Sequence, residues 1–167
     1  MPKNSFFSKL ELNFLKALVG AKIPFLMVGL SAAALQGAPV VTQDVDLWFK
    51  DPNDPSLKKI LKKFRASYLP PVGLSPPIFV GRGLELFDIV LNMHGLNGFD
   101  EEYAGAVKLP IEGGKLRVLP LERIIKSKET IKREKDLLVL KPLKDALRAQ
   151  SKKRKSRSGM KPKRPKS

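Results

Sequence analysis

The sequence predicts an α+β (α/β) fold in which a small mixed β-sheet is flanked by helices. Three observations carry this. Apolar residues recur at helical spacing in well-separated stretches, and short apolar runs bounded by glycine and proline lie between them. Hydrophobic residues make up 43% of the chain, as in a globular protein. No apolar run approaches the roughly 18 residues that a membrane span requires.

Each element has its own local cause. Residues 5–19 carry Phe7, Leu10, Phe14, Leu15 and Leu18 on one helical face and close at Gly20. Phe25 to Val28 is a short apolar run, read as a buried strand. Ser31 to Gln36 is small and helix-prone, and Gly37 follows as its stop. Residues 44–49 (DVDLWF) form a second strand. Asp54-Pro55 opens a helix to about Ala66, because Asp caps and Pro suits the first helical position. SYLPPVGLSPP, with four prolines, is an irregular surface loop. Residues 78–80 and 84–91 flank Gly81-Arg82-Gly83 as a hairpin, and 106–111 and 116–119 flank Glu112 to Lys115 as another. From Leu121 to about Arg148 the spacing is helical, with a break expected at Lys141-Pro142.

Charge divides the chain into two parts. Its 167 residues hold 32 Lys+Arg against 16 Asp+Glu, a net charge of +16. Residues 151–167 contribute nine of those cations and no acid. We expect residues 1–150 to form one domain and 151–167 a disordered Lys/Arg-rich tail, since a stretch with so little apolar surface cannot offset its ordering entropy. Such a tail either binds nucleic acid or merely solubilises. Zero cysteines exclude disulfides, thiolate metal sites and a Cys nucleophile, and one histidine excludes a His-pair zinc motif. With no convincing secretory leader or membrane span, the cytoplasm is the expected location.

The chemistry-bearing residues are acids. Asp44 and Asp46 are separated by one residue, so on a strand both side chains leave the same face. Asp88 sits in an equally apolar run, FDIV, where Asp is disfavoured. If the two strands are neighbours, three carboxylates converge and raise one another's pKa values unless a cation joins them. Mg²⁺ is the natural occupant, and two such ions would clamp an in-line phosphoryl displacement. Upstream, Gly29-Leu30-Ser31 joins a strand to a helix, a place where backbone can approach phosphate. Ser31 either caps that helix or bonds a phosphate oxygen. Trp48 either stacks on a nucleobase or belongs to the core. His94 is a loop residue that would at most meet an acceptor.

The run VGLSAAALQGAPVVTQDVDLWF, followed by FDIV and by LRVLPLERIIKSKETIKREKDLLVL, resembles the minimal nucleotidyltransferases of the DNA polymerase β superfamily, the antitoxin and abortive-infection type. That resemblance covers roughly residues 24–140. It implies a nucleotidyltransferase fold with Mg²⁺ on Asp44, Asp46 and Asp88. An NTP would be held by Gly29, Ser31, Thr42, Lys128 and, more remotely, Lys135. NMP would pass to a hydroxyl of RNA (tRNA among them) or of a partner protein, pyrophosphate would leave, and Asp88 would help deprotonate the hydroxyl. Lys128 would otherwise be a solvated helix residue. The chain departs from the family's pattern at Leu30, Gln36 and Val40, positions where relatives carry an adjacent Gly or Ser, a His and an Arg. Those departures raise the alternative of a non-catalytic antitoxin-like or RNA-binding module. Oligomeric state is left open.

Overall fold

The computed structural model describes residues 6–158. Its elements, in chain order, are α1 (Lys9–Gly20), β1 (Phe25–Val28), α2 (Gly29–Leu35), β2 (Val45–Phe49), α3 (Pro55–Lys63), β3 (Ser67–Leu69), β4 (Ile78–Val80), β5 (Phe87–Val90), α4 (Phe99–Ala104), β6 (Val107–Ile111), β7 (Gly114–Val118), α5 (Leu121–Ile131) and α6 (Glu134–Ser158). The strands form one mixed sheet in the order β3-β4-β5-β2-β1-β7-β6. The expected fold class holds. No helix among the described residues is long and apolar enough to cross a membrane.

β1 lies near the middle of the sheet and all four of its residues are buried, as a strand covered on both faces requires. It pairs antiparallel with β2, and β2 pairs parallel with β5. One sheet face presents Val45, Leu47, Phe49, Phe79 and Phe87 to α1 and α3. Phe14 of α1 packs its ring against Phe64, Phe79 and Phe87 at centroid distances of 5.0–5.7 Å. These fully buried rings bring both apolar area and edge-to-face attraction to the core. On the opposite face α2 packs on β1 and β2 and against α5, and Phe99 of α4 meets Trp48 of β2.

Local chemistry sets the element ends. Ser8 accepts from the Glu11 N–H at 3.1 Å while the Glu11 carboxylate takes the Ser8 N–H at 2.8 Å, a capping box that starts α1 at Lys9 instead of near residue 5. Residue 5 itself lies outside the described residues. Asp54 caps α3 as expected, accepting from Ser56 N–H at 2.8 Å.

Four expectations need correction. Ser67–Leu69 is a strand, not loop, paired with β4; the Leu69 position precedes Pro70, which favours extended backbone. Residues 84–86 form a turn, so β5 begins only at Phe87. The C-terminal helices break at Lys132, which takes a left-handed φ of 56°, while Pro142 sits inside α6. Finally, α6 continues through Ser158, so the basic segment is helical over 151–158, a stretch rich in good helix formers. Residues 159–167 lie outside the described residues.

Candidate active site

The three acids meet through strand pairing. In the parallel ladder of β2 and β5, Asp46 stands opposite Asp88, and neighbouring strands lie about 4.8 Å apart. Asp44 is one residue before β2, two positions before Asp46. All three line one cavity of about 790 Å³ together with Gly29, Thr42, His94, Lys128 and Lys135. That volume is within the roughly 300–1,000 Å³ of small-molecule sites.

Gly29 closes the floor under Asp46. Val28 is the residue paired with Asp46 across β1 and β2, and the chain turns immediately after it. Gly29 has φ +67°, and a Cβ there would run into the Asp46 carboxylate. Glycine is thus required twice, for its dihedral and for its missing side chain.

Ser31 does not cap α2. Val28 occupies the N-cap position of α2 without a side-chain bond. The Ser31 hydroxyl is buried, donates to the Val28 carbonyl at 3.0 Å and accepts from the Asp46 N–H at 3.2 Å. Its effect on the site is to tie the start of α2 to the strand position of Asp46. Thr42 does something similar for Asp44. Its Oγ1 accepts from the Asp44 N–H and donates to the Asp44 carbonyl, both at 3.2 Å.

The acids are strongly coupled. Burial, then the charges of Asp88 and Asp44, push the Asp46 carboxyl from 3.8 up to about 7. A hydrogen bond with Asp88 acts in the same direction, and the charge of Lys128 opposes it. Asp88 is also raised, first by burial and then by Asp44, against the Asp46 hydrogen bond and the charge of Lys135. Below about pH 7 Asp46 therefore keeps a proton that it donates toward Asp88, as like charges at this spacing demand.

Lys128 lies on α5 at the cavity wall, and its Nζ is 3.2 Å from Asp136 Oδ1. An ammonium has three donors, so that bond leaves others to face the cavity. Trp48 is buried at 3% exposure with its ring edge-on to Phe99 at 5.5 Å. It belongs to the core, which removes it as a platform for a nucleobase. His94 is exposed on the cavity rim.

Sequence reasoning missed Arg133 and Asp136, which also line the cavity. The Asp136 carboxylate is bonded by Arg133 through its backbone N–H (3.2 Å) and guanidinium (2.7 and 3.2 Å), and by Lys128. The signal was present as an acid three residues past Arg133, the residue before α6, the position where a carboxylate reaches back to free N–H groups.

Among the described residues, no three His, Asp or Glu side chains stand closed around a point for a metal ion. The donor chemistry nevertheless fits a hard divalent cation. Three carboxylates supply oxygen only, and the glycine floor leaves the Asp46 carboxylate the space to turn toward one.

No protein-family model and no curated protein matches the chain. Solved structures do. The crystal structure of ANT(2'')-Ia in complex with adenylyl-2''-tobramycin is 17% identical over 83% of this chain and 87% of that one, with a TM-score of 0.54. The solution structure of the antibiotic-resistance factor ANT(2'')-Ia is 15% identical over 95% of each chain, with a TM-score of 0.56. An antigenic nucleotidyltransferase-like protein from Paracoccidioides brasiliensis is 18% identical over 88% and 91%, at 0.47. The likeness to ANT(2'')-Ia shows a nucleotidyltransferase fold.

Proposed function

We propose that the chain is an Mg²⁺-dependent nucleotidyltransferase that moves NMP from an NTP to a hydroxyl of a macromolecular acceptor, RNA or a partner protein. The observation that carries this is the register of Asp46 beside Asp88 over the Gly29 turn, inside a cavity that also holds Asp44 and Lys128. The adenylyl-2''-tobramycin bound to ANT(2'')-Ia supports the same bond type, an NMP on a hydroxyl.

Asp44, Asp46 and Asp88 would hold Mg²⁺, one ion or two, which neutralises acids and triphosphate together. The acceptor hydroxyl oxygen attacks the α-phosphorus, the bond from that phosphorus to the α–β bridging oxygen breaks, and pyrophosphate leaves. Asp88, the more exposed acid of the aligned pair, takes the hydroxyl proton. Gly29 admits phosphate against the backbone, and Lys128 and Lys135 face the developing negative charge. Thr42 and Ser31 act by holding Asp44 and Asp46.

The test uses NTPs labelled at the α-phosphate, Mg²⁺ and either total RNA or lysate. Label passes to a macromolecule with the wild-type chain. Asp46→Asn lowers transfer about 100-fold or more, since outer partners of a metal site already cost roughly 10–100-fold. Equal labelling by the variant would sink the mechanism. One observation favours the second reading, a non-catalytic module: the Ser31 hydroxyl is spent on backbone groups. Calorimetry separates the two, because a degenerate site shows no Mg²⁺-dependent heat with ATP.

A further inference from the structure

α6 joins the cavity to the most basic part of the chain in one helix. Its first turns border the cavity through Lys135, Asp136, Leu138 and Val139. The body holds it at Gln150, whose Nε2 donates to the Gln36 carbonyl at 3.1 Å. Gln36 in turn donates to the carbonyls of Ala32 (3.0 Å) and Leu119 (2.8 Å), so α2, the end of β7 and α6 are clamped together. Directly after that clamp the helix continues as SKKRKSRS, exposed over 151–157 and without an acid.

The charges of this extension surround the helix. At 100° per residue, Lys152, Lys153 and Arg154 point in three different directions. Lys153 and Arg157 are like charges four residues apart, and Arg154 and Arg157 three apart, pairs that cost helix stability. An exposed helix that repels itself gains most from a ligand carrying many regularly spaced anions. A membrane surface is the poorer match, because an interfacial helix needs an apolar face and SKKRKSRS has no apolar residue. A flat acidic protein patch would engage only one side. A flexible phosphodiester chain can wrap the whole sleeve and release a counterion at each contact.

We infer that residues 151–158 are a docking arm for single-stranded nucleic acid, fixed by α6 and the Gln36 clamp relative to the acid-lined cavity. This rests on the transferase reading only in making that nucleic acid the acceptor. The thirteen residue steps from Val139 to Lys152 rise about 20 Å. A strand spanning that gap needs about six nucleotides at ~3.4 Å each. The arm therefore serves long acceptors and not short ones.

The test is fluorescence anisotropy on the full chain with labelled 20-mer and 4-mer RNA, a 20-mer DNA, phosphatidylserine vesicles and polyglutamate. The variant carries Lys152→Gln, Lys153→Gln, Arg154→Gln and Arg157→Gln together; all four are exposed, so its Tm should match wild type. Wild type binds the 20-mers with a steep salt dependence. The variant loses at least about tenfold in affinity, and its log K against log salt slope is shallower by about 3, at roughly 0.7 per lost contact. The 4-mer, with three phosphodiesters to offer the arm, shows a smaller difference between the two proteins. Unchanged 20-mer binding by the variant overturns the proposal, as does binding of vesicles or polyglutamate as tight as that of RNA. RNA bound more tightly than DNA narrows the acceptor to RNA. A wild-type chain that binds the 20-mer through the arm yet passes no NMP to it counts against the transferase reading and leaves the arm standing.

Discussion

Two groups of acids border the same cavity and behave in opposite ways. Asp136 is the more deeply buried, at 1% exposure, yet its carboxyl lies below the usual value. Burial pushes it up, and hydrogen bonds and charge from Arg133 and Lys128 together outweigh that push. Asp46 is only half-buried and is raised to about 7, by burial first and then by the charges of Asp88 and Asp44, with little cation to offset them. Lys128 separates the two cases. It is bonded to Asp136, and to Asp46 it offers only the weakest of the influences acting there. Burial of a carboxylate is therefore no mark of a functional site on this scaffold. An acid left without its cation is, because folding gains nothing from it and a cation from solution does.

The largest expected effect tests that division by substitution. Asp136→Asn leaves the Lys128 ammonium, which is 14% exposed, facing a neutral amide. Removing one partner of such a buried pair costs about 3 kcal/mol. Asp46→Asn keeps the shape over Gly29 and removes a repulsive charge, so above pH 7 stability is retained or rises by about 1 kcal/mol. Urea denaturation of both variants measures this. A large loss in Asp46→Asn would show that its carboxylate is structural and would break the comparison.

The pH profile of the metal-free protein sharpens it further. The folded pKa of Asp46 is above its unfolded value, so the folded state binds the extra proton between about pH 4 and 7. Stability then falls as pH rises through that window, by at most about 1.4 kcal/mol per unit, and is flat above it. Asp88 adds to the same slope. Asp136 has the opposite sign: its contribution is present above the unfolded pKa and is lost as pH falls through the lower folded one. Asp46→Asn should flatten the upper window, and chemical denaturation at pH 5, 6, 7 and 8 reads it. At pH 8, Mg²⁺ at ten times its Kd should restore about 1.4 kcal/mol to wild type and nothing to Asp46→Asn.

The acids were legible because Asp alternates with Val, Leu and Phe, and a period of two fixes their common face. Their meeting was not. Asp46 and Asp88 are 42 residues apart in sequence, and their parallel alignment depends on how α3, β3 and β4 pack between them. Gly29 was legible as a turn, but the collision of its absent Cβ with Asp46 is a tertiary fact. Ser31 was legible as a residue beside the site, but its bonds to Val28 and Asp46 were not, since a short side chain bonds whichever backbone group the fold brings near. The helix break shows the limit of residue-type signals. Pro142 reads as a stop, yet α6 runs through it because Leu138, whose carbonyl loses its bond, sits on a 75% exposed position where water is at hand. Lys132 carries no such signal and nonetheless takes the left-handed turn. The six residues of α4 were missed for want of length, too short to show a period.

The smallest expected effect supplies the third member of the comparison, an acid that is paired but not buried. Asp100 of α4 lies 3.0 Å from Lys50, with side chains 75% and 54% exposed. Water already solvates both charges, so the pair replaces one good environment with another and gives up side-chain freedom. Lys50→Ala should change folding stability by less than about 0.5 kcal/mol, roughly a sixth of the loss expected at Asp136, and salt should shrink even that. The same urea titration measures it. A loss comparable to that of Asp136→Asn would mean that pairing alone governs these acids. A negligible one means that burial sets the size of the effect and pairing sets its sign, and that the raised carboxyl of Asp46 follows from having the first without the second.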